Sequence, residues 1–257
     1  MIAVSLSAFG VVSAEVALSR AFAAGVREVE LAIGPEPSGD LGALVRGYQG
    51  RGVSFRAHHA FSFQAPTRPF DLVRNFEEGA MVHRLDWLAR HGVTAYSVHA
   101  GSYDAGPREA AYALMVQRLD WLEARCGERG IDLGVETMFA MPKGSRRQNL
   151  LVGLDEISRL LRDAPSLGLV VDLAHLAIGS DPPERRLAVF ECGRGRILEV
   201  HVSDNDGRRD LHTPLSPATW WWPFRSAIPT DVPIVLESRI RNADLRGQLA
   251  LLAAVGC

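Results

Sequence analysis

Lysine is almost missing from this chain: Lys143 is the only one in 257 residues, and arginine supplies nearly all the positive charge. Lys143 stands in a Pro142-Lys143-Gly144 loop. Schiff-base chemistry on a β/α barrel wants a desolvated strand lysine, so the position of Lys143 disfavours an aldolase of that kind. A basic surplus is missing as well, with 28 Lys and Arg against 30 Asp and Glu and a formal net charge of −2. Binders of duplex nucleic acid neutralise phosphates with such a surplus, so nucleic acid is disfavoured as the partner and local patches are the only basis left for it. The three cysteines, Cys126, Cys192 and Cys257, form no ligand spacing and fit a reducing cytoplasm. No stretch approaches the roughly 18 unbroken apolar residues of a membrane span. The apolar N-terminus lacks a positive leader and is interrupted by Glu15, so it reads as a first strand and helix, not a signal peptide. The first strand–helix turn, Ala8-Phe9-Gly10-Val11, carries no dinucleotide glycine fingerprint, and there is no Walker loop.

What is present is a large apolar share, 47%, arranged with a regular alternation. Strand-like runs fall at 2–8, 27–33, 53–59, 93–99, 131–138, 167–173, 197–203 and 232–238. Helical patterns lie between them at 13–24, 40–50, 74–91, 107–129, 149–163, 183–193, 218–227 and 242–255. Strict β/α alternation implies a parallel sheet, and eight units favour closure, so the expected fold class is α/β: a single (β/α)8 TIM barrel over residues 1–257. The phrase Arg-Leu-Asp-Trp-Leu occurs at 84–88 and again at 118–122, and it reads as one helix-packing solution used twice.

Four of the later strands end on residues that bind metals: Glu136 in Gly-Val-Glu-Thr-Met, Asp172 in Leu-Val-Val-Asp-Leu-Ala-His, His201 in Glu-Val-His-Val-Ser-Asp and Glu237 in Ile-Val-Leu-Glu-Ser-Arg. They are 36, 29 and 36 residues apart, about one strand-plus-helix unit each. In a parallel barrel all strand C-termini open on one face, so the four converge. A carboxylate that ends a run such as Leu169-Val170-Val171 is costly to desolvate without a partner, and a divalent cation is the simplest partner for several at once. Other strand ends add histidines: Ala57-His58-His59-Ala60-Phe61, Val98-His99-Ala100, and His175 three residues after Asp172, with Asp204, Asp206, Asp210 and His212 after strand 7. Imidazole and carboxylate together suit Zn2+ or Mn2+, and Mg2+ less.

On the motifs Asp172-Leu-Ala-His175, His201-Val-Ser-Asp204 with Asp210-Leu-His212, and Glu237, the chain resembles the xylose-isomerase-like TIM-barrel superfamily, which includes sugar isomerases, sugar epimerases and endonuclease IV. In the sugar branch the resemblance implies one metal on Glu136, Asp172, His201 and Glu237. Glu136 and Glu237 would also transfer the proton next to a carbonyl through a metal-stabilised enediolate. His59, His99, His175, Glu30 and Arg239 would then meet the substrate: a sugar, sugar phosphate or related polyol. In the endonuclease IV branch the resemblance implies a multinuclear zinc phosphodiesterase, with His59, His99, His175, Asp210 and His212 as further ligands. His59 is preferred there over His58 because the pattern expects a small residue next. Val29-Glu30-Leu31 is similar to a strand of the sugar enzymes, and with the charge balance it favours the isomerase or epimerase over the nuclease. Relatives commonly pair, so the resemblance allows a homodimer. Other features read structurally. Trp220-Trp221-Trp222 packs a helix and offers one indole to the pocket, and His83 and His91 sit far from the active face. Arg146, Arg147, Arg208, Arg209 and Lys143 are loop charges open to an anionic group.

Overall fold

The structure is a computed structural model in which residues 1–32, 39–59, 61, 70–104, 106–179, 181–240 and 244–255 are described. Eight strands close a barrel: β1 (Ile2–Ser5), β2 (Glu28–Leu31), β3 (Ser54–His58), β4 (Ala95–His99), β6 (Asp132–Glu136), β8 (Gly168–Asp172), β9 (Ile197–Val202) and β10 (Ile234–Leu236). They pair in chain order, every pair is parallel, and β10 returns to β1 with Ile2 opposite Ile234. The (β/α)8 expectation is met. Ile33, Ala60, Cys257 and the predicted helix start at 242–243 lie outside the described residues.

Around the barrel run α1 (Ala14–Ala23), α2 (Leu41–Gln49), α3 (Glu78–Arg90), α4 (Arg108–Gly127), α5 (Leu154–Asp163), the one-turn α6 (Leu173–Ala177), α7 (Pro183–Cys192) and α8 (Leu245–Ala253). Short polar side chains set several starts. The Ser13 hydroxyl accepts from Val16 N at 3.2 Å, and Asp40 Oδ1 accepts from Ala43 N at 3.1 Å, so each supplies an acceptor that the first helical turn lacks. The repeated phrase has a packing explanation: Leu85 and Leu88 of α3 and Leu119 and Leu122 of α4 are completely buried in the core.

Two expected helices are corrected. The segment 149–163 becomes helical only at Leu154. Its start is taken by β7 (Arg147–Asn149), which pairs antiparallel with β5 (Ser102–Asp104), Ser102 facing Asn149. The stretch 218–227 is a 3-10 turn over Trp222–Ala227, not an α-helix. Pro223 has no N–H to donate to an α-helical ladder, and Ser216 and Thr219 draw the preceding backbone into side-chain hydrogen bonds.

The loops above the barrel mouth are tied down. Asp71 Oδ2 accepts from the Ser102 hydroxyl at 2.7 Å, and Oδ1 accepts from Val73 N at 2.9 Å. Gly101 makes the approach possible, because its φ of +93° and a Cβ placed only 2.9 Å from Asp71 Oδ1 would both strain any other residue.

Candidate metal centre

Inside the barrel, alternate residues of each strand face the lumen, so the last inward residue of every strand reaches the C-terminal mouth. Register brings them side by side: His99 lies opposite Glu136 across β4 and β6, and Asp172 opposite His201 across β8 and β9. One ligand-type atom from each of Glu136, Asp172, His201 and Glu237 falls within 4.8 Å of the others. His201 Nδ1 is 3.5 Å from Glu136 Oε1 and 3.6 Å from Glu237 Oε2.

The Asp172-x-x-His175 spacing is a helix start. Asp172 is the N-cap of α6, and its Oδ1 accepts from His175 N at 2.8 Å, which leaves Oδ2 turned toward the cluster. Nδ1 of His175 donates to Thr137 O at 2.8 Å, so its Nε2 is the nitrogen that faces Asp210 Oδ2, 3.5 Å away. His212, from the segment after β9, stands with Nε2 3.0 Å from Asp210 Oδ2.

The second oxygen of Glu136 faces the other way. Oε2 lies 3.0 Å from His99 Nε2 and 3.5 Å from His58 Nε2, and those two nitrogens are 3.0 Å apart. The resemblance pointed to His59, but the ring of this pair that reaches Glu136 is that of His58. His59 takes a left-handed backbone (φ +46°) and stacks on His99 with ring centroids 4.1 Å apart. Its Nδ1 faces the backbone N of His99 at 3.4 Å. Both histidines line the cavity of about 600 Å³ at the mouth, together with His99, Glu136, His175, Asp210, His212, Glu237 and Arg239.

Three expectations are placed differently. Glu30 does not stand in the cavity wall; it is fully buried beneath His201, with Oε2 3.2 Å from His201 Nε2. None of the three tryptophans lines the cavity: Trp221 is fully buried, the Trp220 indole donates to Leu173 O at 2.9 Å, and the aromatic wall is Phe139. Of the arginines and the lysine named from sequence, Arg239 alone belongs to the described cavity wall. Arg208 and Arg209 instead donate backbone N–H groups to Asp206 Oδ1.

Charge is unevenly shared. Burial pushes the Glu237 carboxyl up to about 8, with Glu30 and Glu136 adding to the push, and burial likewise raises Asp172 and Glu30. Burial also opposes ionisation of Glu136, but His99, His58 and His175 together outweigh it and hold Glu136 well below the usual carboxylate range. His201 is held well above its ordinary value: burial opposes its charge, yet Glu237, Glu30, Glu136 and Glu199 prevail. Burial drives His58 down to about 3.

The donor set fits a divalent cation. Among the described residues, His201 Nδ1 and Asp172 Oδ2 are buried side-chain atoms of the quartet with no hydrogen-bond partner, and Glu136 Oε2 is another, on the side it shares with His58 and His99. Buried polar atoms are normally paired, and orphans concentrated at one point are what a hard or borderline cation satisfies.

Sequence reasoning missed the layer below. Arg56, Ser97 and Glu199 each precede a site histidine by two residues, and a period of two puts each on the same face of its strand as that histidine. The buried Arg56 guanidinium donates to Glu199 Oε2, and His58 Nδ1 meets the Ser97 hydroxyl at 2.9 Å.

Comparison with known proteins agrees with this architecture. The family model described as "Xylose isomerase-like TIM barrel" matches residues 18–254, and the chain belongs to that family. Among solved structures, the chain is similar to D-psicose 3-epimerase from Clostridium cellulolyticum, with TM-score 0.73, 12% identity, and 99% of this chain and 98% of that chain covered. It is similar to a Thermus thermophilus protein, TTHB071, soaked with ZnCl2, with TM-score 0.62, 24% identity, and 98% and 97% covered. It is also similar to AP endonuclease, family 2, from Brucella melitensis, with TM-score 0.70, 15% identity, and 98% of each chain covered. The comparison with curated proteins yields no match.

Proposed function

We propose that the chain acts as one domain, a divalent-metal-dependent isomerase or epimerase of a sugar, sugar phosphate or related polyol. Glu136, Asp172, His201 and Glu237 would hold Zn2+ or Mn2+. The observation that carries the reading is the quartet itself: four buried side chains of metal-binding type from four strands, two of which, Asp172 and His201, present atoms with no hydrogen-bond partner. When bound, the cation polarises the substrate oxygens and stabilises charge that develops next to the carbonyl. Glu136, held ionised by its imidazole neighbours, accepts a proton from the adjacent carbon. Glu237, the other glutamate at the cavity wall, would return the proton to the substrate. His175 and His99 border the cavity and meet substrate hydroxyls, Phe139 excludes water from one side, and Arg239 at the rim accepts an anionic group. Among the described residues no helix is long and apolar enough to cross a membrane, and free Cys126 and Cys192 suit a reducing cytoplasm. The test is turnover of a ketose and ketose-phosphate panel with Mn2+ or Zn2+ and with chelator; turnover indifferent to chelator ends the reading.

A second reading has its own observation. His58, His99 and Glu136 form a further group able to hold an ion, with Glu136 shared between the two sites. A second cation there, with Asp210 and His212 serving a third, would suit phosphodiester hydrolysis, where metals generate hydroxide and hold the phosphate. Elemental analysis separates the two: one ion per chain favours the sugar enzyme, two or three with incision of abasic duplex favour the hydrolase.

A further inference from the structure

Below the mouth, the lumen holds a charge pair that stability alone does not explain. The Arg56 guanidinium from β3 donates to Glu199 Oε2 of β9, with the side chains 10% and 1% exposed. Burying two ions costs several kcal/mol each, and apolar residues of similar volume commonly serve a core as well or better. Other positions of the neighbouring lumen are filled without charge, by the fully buried Ser97, Val170 and Val235. The pair therefore calls for a role beyond filling space.

The free oxygen of Glu199 supplies one. Oε1 lies 3.2 Å from Nε2 of the fully buried His201, in hydrogen-bonding geometry. Glu30 Oε2 is at the same distance from Nε2, but neither Glu30 oxygen makes a hydrogen bond, so Glu199 is the acceptor. The opposite ring nitrogen, Nδ1, points at Glu136 and Glu237 and has no partner. We propose that the Arg56–Glu199 pair is a positioning device for His201: Arg56 anchors one carboxylate oxygen, the other receives Nε2–H, and the ring is thereby held with Nδ1 turned to the cation position. An imidazole that donates from Nε2 carries its lone pair on Nδ1, the form a metal requires. Without the anchor, Glu199 would be an unpaired buried carboxylate, free to turn away from the ring. The proposal rests on His201 being a metal ligand, as set out above.

The experiment is a Co2+ titration of the full chain, read as affinity and as the visible absorption of the bound ion, beside the melting temperature of the metal-free protein. Replacing both partners with apolar residues of similar size, Arg56→Met with Glu199→Leu, keeps the lumen filled. The expected result is a Co2+ affinity about 10- to 100-fold weaker with an altered spectrum, while the metal-free protein melts no lower than wild type. Glu199→Asp keeps the charge but withdraws the oxygen from Nε2, and it is expected to weaken Co2+ binding too, with folding checked by the same melting curve. Wild-type affinity and spectrum in either folded variant would overturn the positioning role. A wild-type chain that takes up no Co2+ would instead overturn the metal reading beneath it.

Discussion

His58 and His201 lie with ring centroids only 5.0 Å apart, yet burial drives one down to about 3 while the other is held well above its ordinary value. Both are buried, so desolvation does not separate them. What differs is the company each keeps. His201 faces Glu30, Glu136, Glu199 and Glu237. His58 has one carboxylate at 3.5 Å, a serine hydroxyl and another imidazole. The His58 and His59 imidazoles at the end of β3 are thus a neutral wall, and the carboxylates around His201 an acidic nest that shares too few protons among too many carboxylates. A cation would discharge the nest, and His58 and His59 can donate lone pairs or hydrogen bonds without first losing a proton.

Glu136 touches both sides, so removing its charge should break the comparison most completely. Glu136→Gln is expected to lower turnover by about 10²- to 10⁴-fold, the range for a lost acid–base group, in steady-state assays with saturating metal. Acidification tests the nest alone. Glu237 and His201 have raised values, so below about pH 8 the protein keeps protons that a cation must displace. Co2+ affinity should therefore fall as pH drops from 8 to 6, by about tenfold per unit for each proton displaced, as followed by chelator competition; a flat profile would contradict the assignment. The imidazole wall is tested by exchanging its neighbours. If more than one ion binds per chain, His58→Asn should reduce metal content by one ion and His59→Asn should not, as measured by elemental analysis. Smallest is the rim: Arg239→Gln should raise KM about tenfold for a phosphorylated sugar, in line with the loss of one charge-assisted hydrogen bond, and leave KM for the neutral sugar unchanged.

Much of the barrel and its mouth is legible in the order of residues. Asp172 and Glu237 each end an apolar run, and a carboxylate in that setting announces a partner on local grounds alone. The alternation of β-branched runs with amphipathic stretches leads to the barrel, and the strand-end positions lead to the quartet. Other features are not legible there. The period of two marks Arg56 and Glu199 as facing inward, but they are 143 residues apart, and nothing local says that they meet. The choice between His58 and His59 turns on the left-handed backbone at His59, a consequence of how the chain leaves β3. The tryptophan run has helical spacing, but Pro223 and the Ser216 and Thr219 side chains divert it into a 3-10 turn.

By itself, the order of residues determined the eight-fold alternation, the inward face of each strand and the kinds of atoms that arrive at its end, because those depend on periodicity and desolvation along a single segment. Tertiary structure decided which inward residues stand across from one another. Closure of the barrel and the register between strands set the distances, and those distances made an acidic nest on one side of the mouth and a neutral wall on the other.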